Sequence, residues 1–289
     1  MPGYTIYREQ IEEQSVPGRP LGRHVHHDSR SLLYPWQESG QPLKDTLLAR
    51  HVPILDQGDV GSCTGNAETG ALGTDPLYAP LAGRTGGVTL TESTALALYS
   101  AAENIDGDGP YPPNDNGSSG LSVCQAAKSA GLISGYVHCL SLASVLDAIS
   151  SGSPVIIGSN WYDSMDTPDP SGLVTISAGA QVRGGHEYLA RGIDITRNLV
   201  FLDNSWGTSY GVKGSFAYSW DTLQRLLSEQ GDGTVSVPLS QPSPTPTPTP
   251  TPSPKPKPKP AHLLAELAAL IRDNADHTEL MSFLATNHL

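Results

Sequence analysis

Between residues 240 and 260 the chain alternates proline with Ser, Thr and then Lys, reading "SQPSPTPTPTPTPSPKPKPKP". Proline at every second position removes backbone donors and fixes φ near −65°, so neither a helix nor a sheet ladder can run through it. The segment is expected to extend as a semi-rigid polyproline II spacer. Folding is then left to residues 1–239, long enough to bury a sizeable core, because residues 261–289 are too few to form one alone. In that remainder Leu263, Leu264, Leu267, Leu270 and Ile271 share one helical face. A short amphipathic helical tail is expected, one that needs a partner surface on a second copy or on another protein.

The balance of 17 Lys+Arg against 29 Asp+Glu, a formal charge of −12, argues against nucleic acid as a partner. The opening "MPGYTIYREQIEEQSVPGRP" has no apolar run after a basic start, so no signal peptide is expected, and no stretch approaches the ~18 apolar residues of a membrane span. Three cysteines, Cys63, Cys124 and Cys139, are too few for a disulfide framework and contain no Cys-x-x-Cys zinc pair. A bridge between Cys124 and Cys139 is left open.

Before the spacer, helical patterns come first and strand patterns later. A small-residue segment runs from Cys63 to near Leu72, and residues 90–104, 121–132 and 142–151 read as helices. Residues 154–160, 186–195, 198–206 and 214–220 are short, β-rich and punctuated by Gly, Asn and Asp, as an antiparallel sheet would be. This order predicts an α+β domain over residues 45–239 with two lobes and a cleft, preceded by an N-terminal arm, residues 1–44.

Cys63 alone admits three readings: a buried small hydrophobe, half of a disulfide, or a nucleophile. Ser62 before it is a fitting helix N-cap, which would set the sulfur at the positive end of a helix dipole and favour the thiolate. In "RGGHEYLARGID" two glycines precede His186 on a strand pattern, letting another backbone or a substrate come close. Asn204, in "LDNSWGTSYGVKG", falls at the end of the next strand, where its amide could hold the His186 ring.

Gln57, Gly61-Ser62-Cys63, Gly185-His186 and Asn204-Ser205-Trp206-Gly207 resemble the motifs of the papain family of cysteine peptidases. His186 and Asn204 follow Cys63 at separations comparable to the roughly 130–150 residues of that family. The resemblance covers about residues 45–235, and "HVHHD", "NGSSGLSVCQAAKSAGLISGY" and "NSWGTSYG" further resemble papain-like peptidases encoded by actinobacterial bacteriophages. It implies a two-lobed papain-like fold and hydrolysis of peptide bonds without a metal or other cofactor. Cys63 would attack the carbonyl, His186 would carry the proton, Asn204 would orient His186, and Gln57 would donate to the oxyanion together with the Cys63 backbone N–H, such donors being worth roughly 3 kcal/mol each. Trp206 would shield the His186–Asn204 bond, and Gly117, Ser118, Ser119 and Gly185 would hold an extended substrate.

The chain departs from that pattern in several places. Val60 stands where many relatives have a disulfide cysteine, Thr64 replaces an aromatic residue, and Asp203 adds an acid beside Asn204. Too little chain precedes Cys63 for the long helical propeptide of many relatives, so a removable prodomain is not expected, and the arm is left to cover the cleft. "HVHHD" and "NIDGDGPYPPNDNG" read as a locally hydrogen-bonded segment and an exposed loop rather than metal sites. Trp36, Trp161 and Trp220 read as core or cleft wall. Two other functions share the motifs: a catalytically silent binding or virion module, and a Cys-His-Asn amidase or transpeptidase acting on cell-wall peptides. A cytoplasmic or, for a phage-encoded chain, virion-associated setting is the expectation.

Overall fold

The computed structural model describes residues 4–84 and 87–239; the spacer and the tail lie outside the described residues. In chain order come β1 (Ile6–Gln10), β2 (His24–Asp28), β3 (Thr46–Leu47), α1 (Cys63–Leu72), α2 (Tyr78–Ala82), α3 (Glu92–Asp106) and α4 (Gly120–Ser129). Then follow β4 (Gly135–Cys139), α5 (Leu142–Ser150), β5 (Val155–Tyr162), β6 (Val182–Asp194), β7 (Leu199–Asp203), β8 (Ser215–Ser219), α6 (Trp220–Ser228) and β9 (Asp232–Val237). The helices expected around 63–72, 90–104, 121–132 and 142–151 are α1, α3, α4 and α5. The four expected strands are β5 to β8.

An antiparallel sheet runs β4-β9-β5-β6-β7-β8, with β3 paired to β6. Successive strand residues face opposite sides, and both sides are covered. Ile157, Tyr188 and Leu202 pack with Val145, Ile149, Leu223 and Leu226 of α5 and α6. Their neighbours Ile156 and Leu189 pack with Leu72, Leu98 and Val123 of α1, α3 and α4. The outcome is the mixed α+β architecture the patterning predicts, with a helical layer of α1, α3 and α4 against one face.

Every residue of α1 is buried, which its small side chains make feasible. A Cβ on Gly65 would run into the Ala95 carbonyl of α3 and stand 3.0 Å from Tyr99 Cβ, so only glycine lets these helices approach so closely. Three helices are capped by the expected serine chemistry, with Ser119, Ser141 and Ser219 accepting from Ser122, Ser144 and Thr222 N–H at the starts of α4, α5 and α6.

All three cysteines are free and buried, so the Cys124–Cys139 bridge left open above is not made. Cys139 Sγ donates to Ser144 O (3.5 Å), whereas Cys124 Sγ lies 3.9 Å from Glu68 Oε2. Glu68, on α1, also accepts from Ser236 Oγ of β9 (2.8 Å), which ties the central helix to the sheet. Burial pushes its carboxyl from an ordinary 4.5 up to about 8, against the lowering effect of the Ser236 and Cys124 contacts. Folding therefore takes up a proton at this site. Its contribution to stability is fully present below about pH 4.5 and lost as pH rises through about 8. Glu68→Gln should flatten the fall in melting temperature between about pH 5 and pH 8 relative to the parent; parallel pH profiles for the two proteins would refute this.

"HVHHD" is strand β2, paired with β1. His24 Nε2 donates to Asn116 O (2.5 Å), and His26 Nδ1 lies 3.1 Å from Ser119 Oγ. Among the described residues no three His, Cys, Asp or Glu side chains gather as a metal set, and no helix is long and apolar enough to cross a membrane.

Candidate active site

Cys63 is the first residue of α1 and is wholly buried. Ser62 occupies the N-cap position, but its side chain does not cap: Ser62 Oγ donates to Asn66 Oδ1 (3.0 Å), and Asn66 Nδ2 donates to Glu92 (2.8 Å). The preceding turn is held by Gly61 N–H donating to Asp115 Oδ1 (3.0 Å), which also accepts from Tyr99 OH (2.7 Å). Asp115 belongs to the loop read from sequence as merely exposed; its end instead buttresses the turn before Cys63.

His186 lies on β6, and Asn204 directly follows β7. Asn204 Oδ1 accepts from Ser205 N–H (2.8 Å), which fixes the oxygen's position, and the same oxygen is 2.7 Å from His186 Nε2. Nε2 must therefore carry the hydrogen, leaving a lone pair on Nδ1. His186 Nδ1 is buried without a hydrogen-bond partner among the described residues. Trp206 stacks on the imidazole (centroids 4.9 Å apart, planes at 25°), and Trp161 meets it edge-on (4.9 Å, 76°). From sequence Trp161 reads only as core or cleft wall. The signal for more was its place on β5, whose Ser159 pairs with His186.

Gln57 is anchored by Ser205 Oγ donating to its Oε1 (2.6 Å), while its Nε2 donates to Val60 O (2.8 Å) and Pro20 O (3.4 Å). Pro20 O also accepts from Trp206 Nε1 (3.2 Å). Pro20 belongs to the arm, which lies across the cleft. Gly22 and Arg23 N–H both donate to Gly185 O (3.1 and 3.0 Å), Ser118 N–H donates to Gly22 O (2.8 Å), and His24 N–H donates to Ser118 O (2.8 Å). Gly117 packs against Gly22 O, and the Cβ position of Gly184 is 2.6 Å from Leu21 Cδ1. The paired glycines before His186 thus admit the chain's own backbone. Ser119 differs from its neighbours: its side chain caps α4, and its N–H donates to Asp106 (3.0 Å).

Covering changes the electrostatics. Burial, reinforced by the charge of Glu187, pushes the Cys63 thiol well up, against the opposing effect of the Glu187 and Thr64 backbone N–H groups. Burial pushes His186 down to about 3, with the Asn204 bond opposing and Arg183 adding to the fall. In the covered site both groups are neutral, which corrects the expectation that the helix terminus alone would favour a thiolate; desolvation outweighs it. Asp203 also turns out differently from its sequence position beside Asn204. It is buried facing Arg50 Nη1 (3.1 Å), Arg191 Nε (2.6 Å) and Ser215 Oγ (2.6 Å), a structural pairing away from the imidazole.

A cysteine opening a buried helix, and a strand histidine bonded to an asparagine on the next strand, are set in a papain-like fold. Among solved structures, the chain is similar to xylellain, a cysteine protease from Xylella fastidiosa, with TM-score 0.62 and 16% identity over 78% of this chain and 98% of that one. It is also similar to digestive procathepsin L 3 of Tenebrio molitor larval midgut, with TM-score 0.56 and 20% identity over 76% of each chain. At these identities the likeness is one of fold. No protein-family model matches the chain, and no curated protein matches it.

Proposed function

We propose that the chain is a cysteine peptidase in which Cys63 is the nucleophile and His186 its base. The observation that carries this reading is the His186 Nε2–Asn204 bond, which fixes the tautomer and leaves the Nδ1 lone pair unspent. Nδ1 takes the thiol proton, the sulfur attacks the peptide carbonyl, and the imidazolium returns the proton to the departing amine. Water, deprotonated by the same nitrogen, then releases the acid from the thioester. Gln57 Nε2, which with Trp206 Nε1 reaches Pro20 O, and the Cys63 backbone N–H at the start of α1 are the donors to the oxyanion. The stacked Trp206 and edge-on Trp161 keep water from the His186–Asn204 bond. Affinity with phage-encoded peptidases rests on the sequence motifs alone.

The test is prolonged incubation of the intact chain with an irreversible epoxide inhibitor of thiol peptidases, the adduct being mapped by mass spectrometry. Modification is expected at Cys63, absent in Cys63→Ala and strongly slowed in His186→Ala. A folded parent in which Cys63 never reacts would point to a silent binding module instead. An amidase or transpeptidase would label in the same way and differ in its products.

A further inference from the structure

In the loop before α4, Ser118 N–H faces the arm and the N–H groups on either side face α3. Ser118 N–H donates to Gly22 O (2.8 Å), and Ser118 O accepts from His24 N–H (2.8 Å). Its neighbours are taken up by side chains. Asn116 N–H donates to Glu103 Oε1 (2.7 Å), Gly117 N–H to Tyr99 OH (3.0 Å) and Ser119 N–H to Asp106 Oδ2 (3.0 Å). Tyr99, Glu103 and Asp106 recur along α3 at the i, i+4, i+7 spacing that places side chains on one stripe. Tyr99 and Glu103 are wholly buried. One helix stripe thus accepts the N–H groups of a loop segment that lies outside any helix or strand.

Tyr99 also reaches the nucleophile's turn. Its hydroxyl accepts from Gly117 and passes its own hydrogen to Asp115 Oδ1 (2.7 Å), the oxygen that accepts from Gly61 N–H (3.0 Å). One phenol therefore joins the residue before Ser118 to the residue before Ser62. Without these acceptors the N–H groups of Asn116 and Gly117 would be left unpaired against buried side chains, and the loop would turn to satisfy them. Ser118 would then leave the orientation in which it pairs with an extended chain. With the acceptors in place, a peptide backbone seated on Ser118 is held in register with the start of α1.

We propose that Tyr99, Glu103 and Asp106 are positioning residues of the cleft: they take up the N–H groups around Ser118, so that Ser118 is presented to a peptide over Cys63, and Tyr99 fixes it through Asp115 to the turn before the nucleophile. Its use in catalysis rests on the peptidase reading, but its first test needs no turnover, because the arm is itself a chain paired with Ser118. Tyr99→Phe removes one oxygen and keeps the ring. In the full chain it should speed modification of Cys63 by a small alkylating reagent about 10-fold, as expected for one buried hydrogen bond lost. Glu103→Leu should act likewise, whereas Glu103→Gln, which keeps an acceptor for Asn116 N–H, should stay within about 2-fold of the parent. Asp106 is left unaltered, because it also lies 3.3 Å from His26 Nδ1 of β2 and so touches the arm directly. Parent-like rates in Tyr99→Phe and Glu103→Leu, equal rates in Glu103→Gln and Glu103→Leu, or a parallel rise at Cys124 and Cys139 would overturn the proposal. If one of Tyr99→Phe and Glu103→Leu does not fold, the other decides; if neither folds, the stripe is a folding element and the proposal fails. In a second measurement the arm is displaced by Gly22→Val, whose side chain has no room against Gly61. There Tyr99→Phe should raise KM for a cleaved peptide about 10-fold and change kcat by less than about 3-fold, since Ser118 holds substrate and transition state alike. Faster labelling without any cleavage would keep the positioning role and remove the peptidase reading. Cleavage with an unchanged KM would do the reverse.

Discussion

Replacing Gly22 by valine should raise the rate at which a small alkylating reagent modifies Cys63 in the intact chain by about 10²–10³-fold. Gly22 has φ of +144°, which L side chains rarely adopt, and its Cβ position is 2.8 and 2.9 Å from the carbonyl carbon and Cα of Gly61. Backbone cannot swing aside as a side-chain tip can, so the substitution acts on the seated arm alone. Such strain and overpacking cost about 3–4 kcal/mol, and each 1.4 kcal/mol is tenfold in the open population through which a buried thiol reacts. Cys124 and Cys139 are internal controls, both buried and with their sulfurs against Glu68 and Ser144 rather than against the Pro20–His24 stretch. Unchanged labelling of Cys63, or labelling of all three cysteines together, would show that the arm does not control access. Opening should also restore water to the site, lowering the thiol pKa and raising that of His186 from the values that burial imposes.

In that opened variant, His186→Ala should lower kcat/KM for a cleaved peptide by about 10²–10⁴-fold, the usual loss when a positioned proton carrier is removed. Nδ1 has no hydrogen-bond partner among the described residues, and no other imidazole touches Trp206 and Trp161 at this point of the sheet. Asn204→Ala should cost less, because it releases the ring from its fixed tautomer without removing the base. Circular dichroism separates these effects from misfolding. A loss below tenfold for His186→Ala in a folded protein would exclude it as the base.

The pieces that were legible in the sequence are local. A glycine- and serine-rich turn before a small-residue helix exposes Cys63 as a candidate, and Gly-Gly-His and Asn-Ser-Trp sit on strands whose alternation is short-range. The missing pieces depend on distant partners. Strands β4 and β9 pair residues 135–139 with 233–237, and neither has a long enough run to stand out. Arg23 meets Asp232 across 209 positions, and the stretch that carries it, between β1 and β2, has no periodicity, because its bonds go to distant residues such as Gly185 and Ser118. Asp203 was visible beside Asn204, yet its direction was not: a one-residue step on a strand turns a side chain to the opposite face, here toward Arg50 and Arg191. Ser119 shows the same limit, since capping α4 and lining the cleft are indistinguishable in "NGSSG".

The arm is joined to the domain it covers, so closure is a unimolecular event whose extent does not change when the protein is diluted. A free peptide competes with a tethered segment at an effective concentration on the order of millimolar for a short connection. On the proposed reading, peptide at micromolar levels meets a largely closed cleft even where its intrinsic affinity matches that of the arm. The tether therefore sets the substrate level at which the chain begins to turn over, while the Cys63 and His186 geometry sets how fast it turns over once open. Changes along the Pro20–His24 stretch would move the first quantity without touching the second.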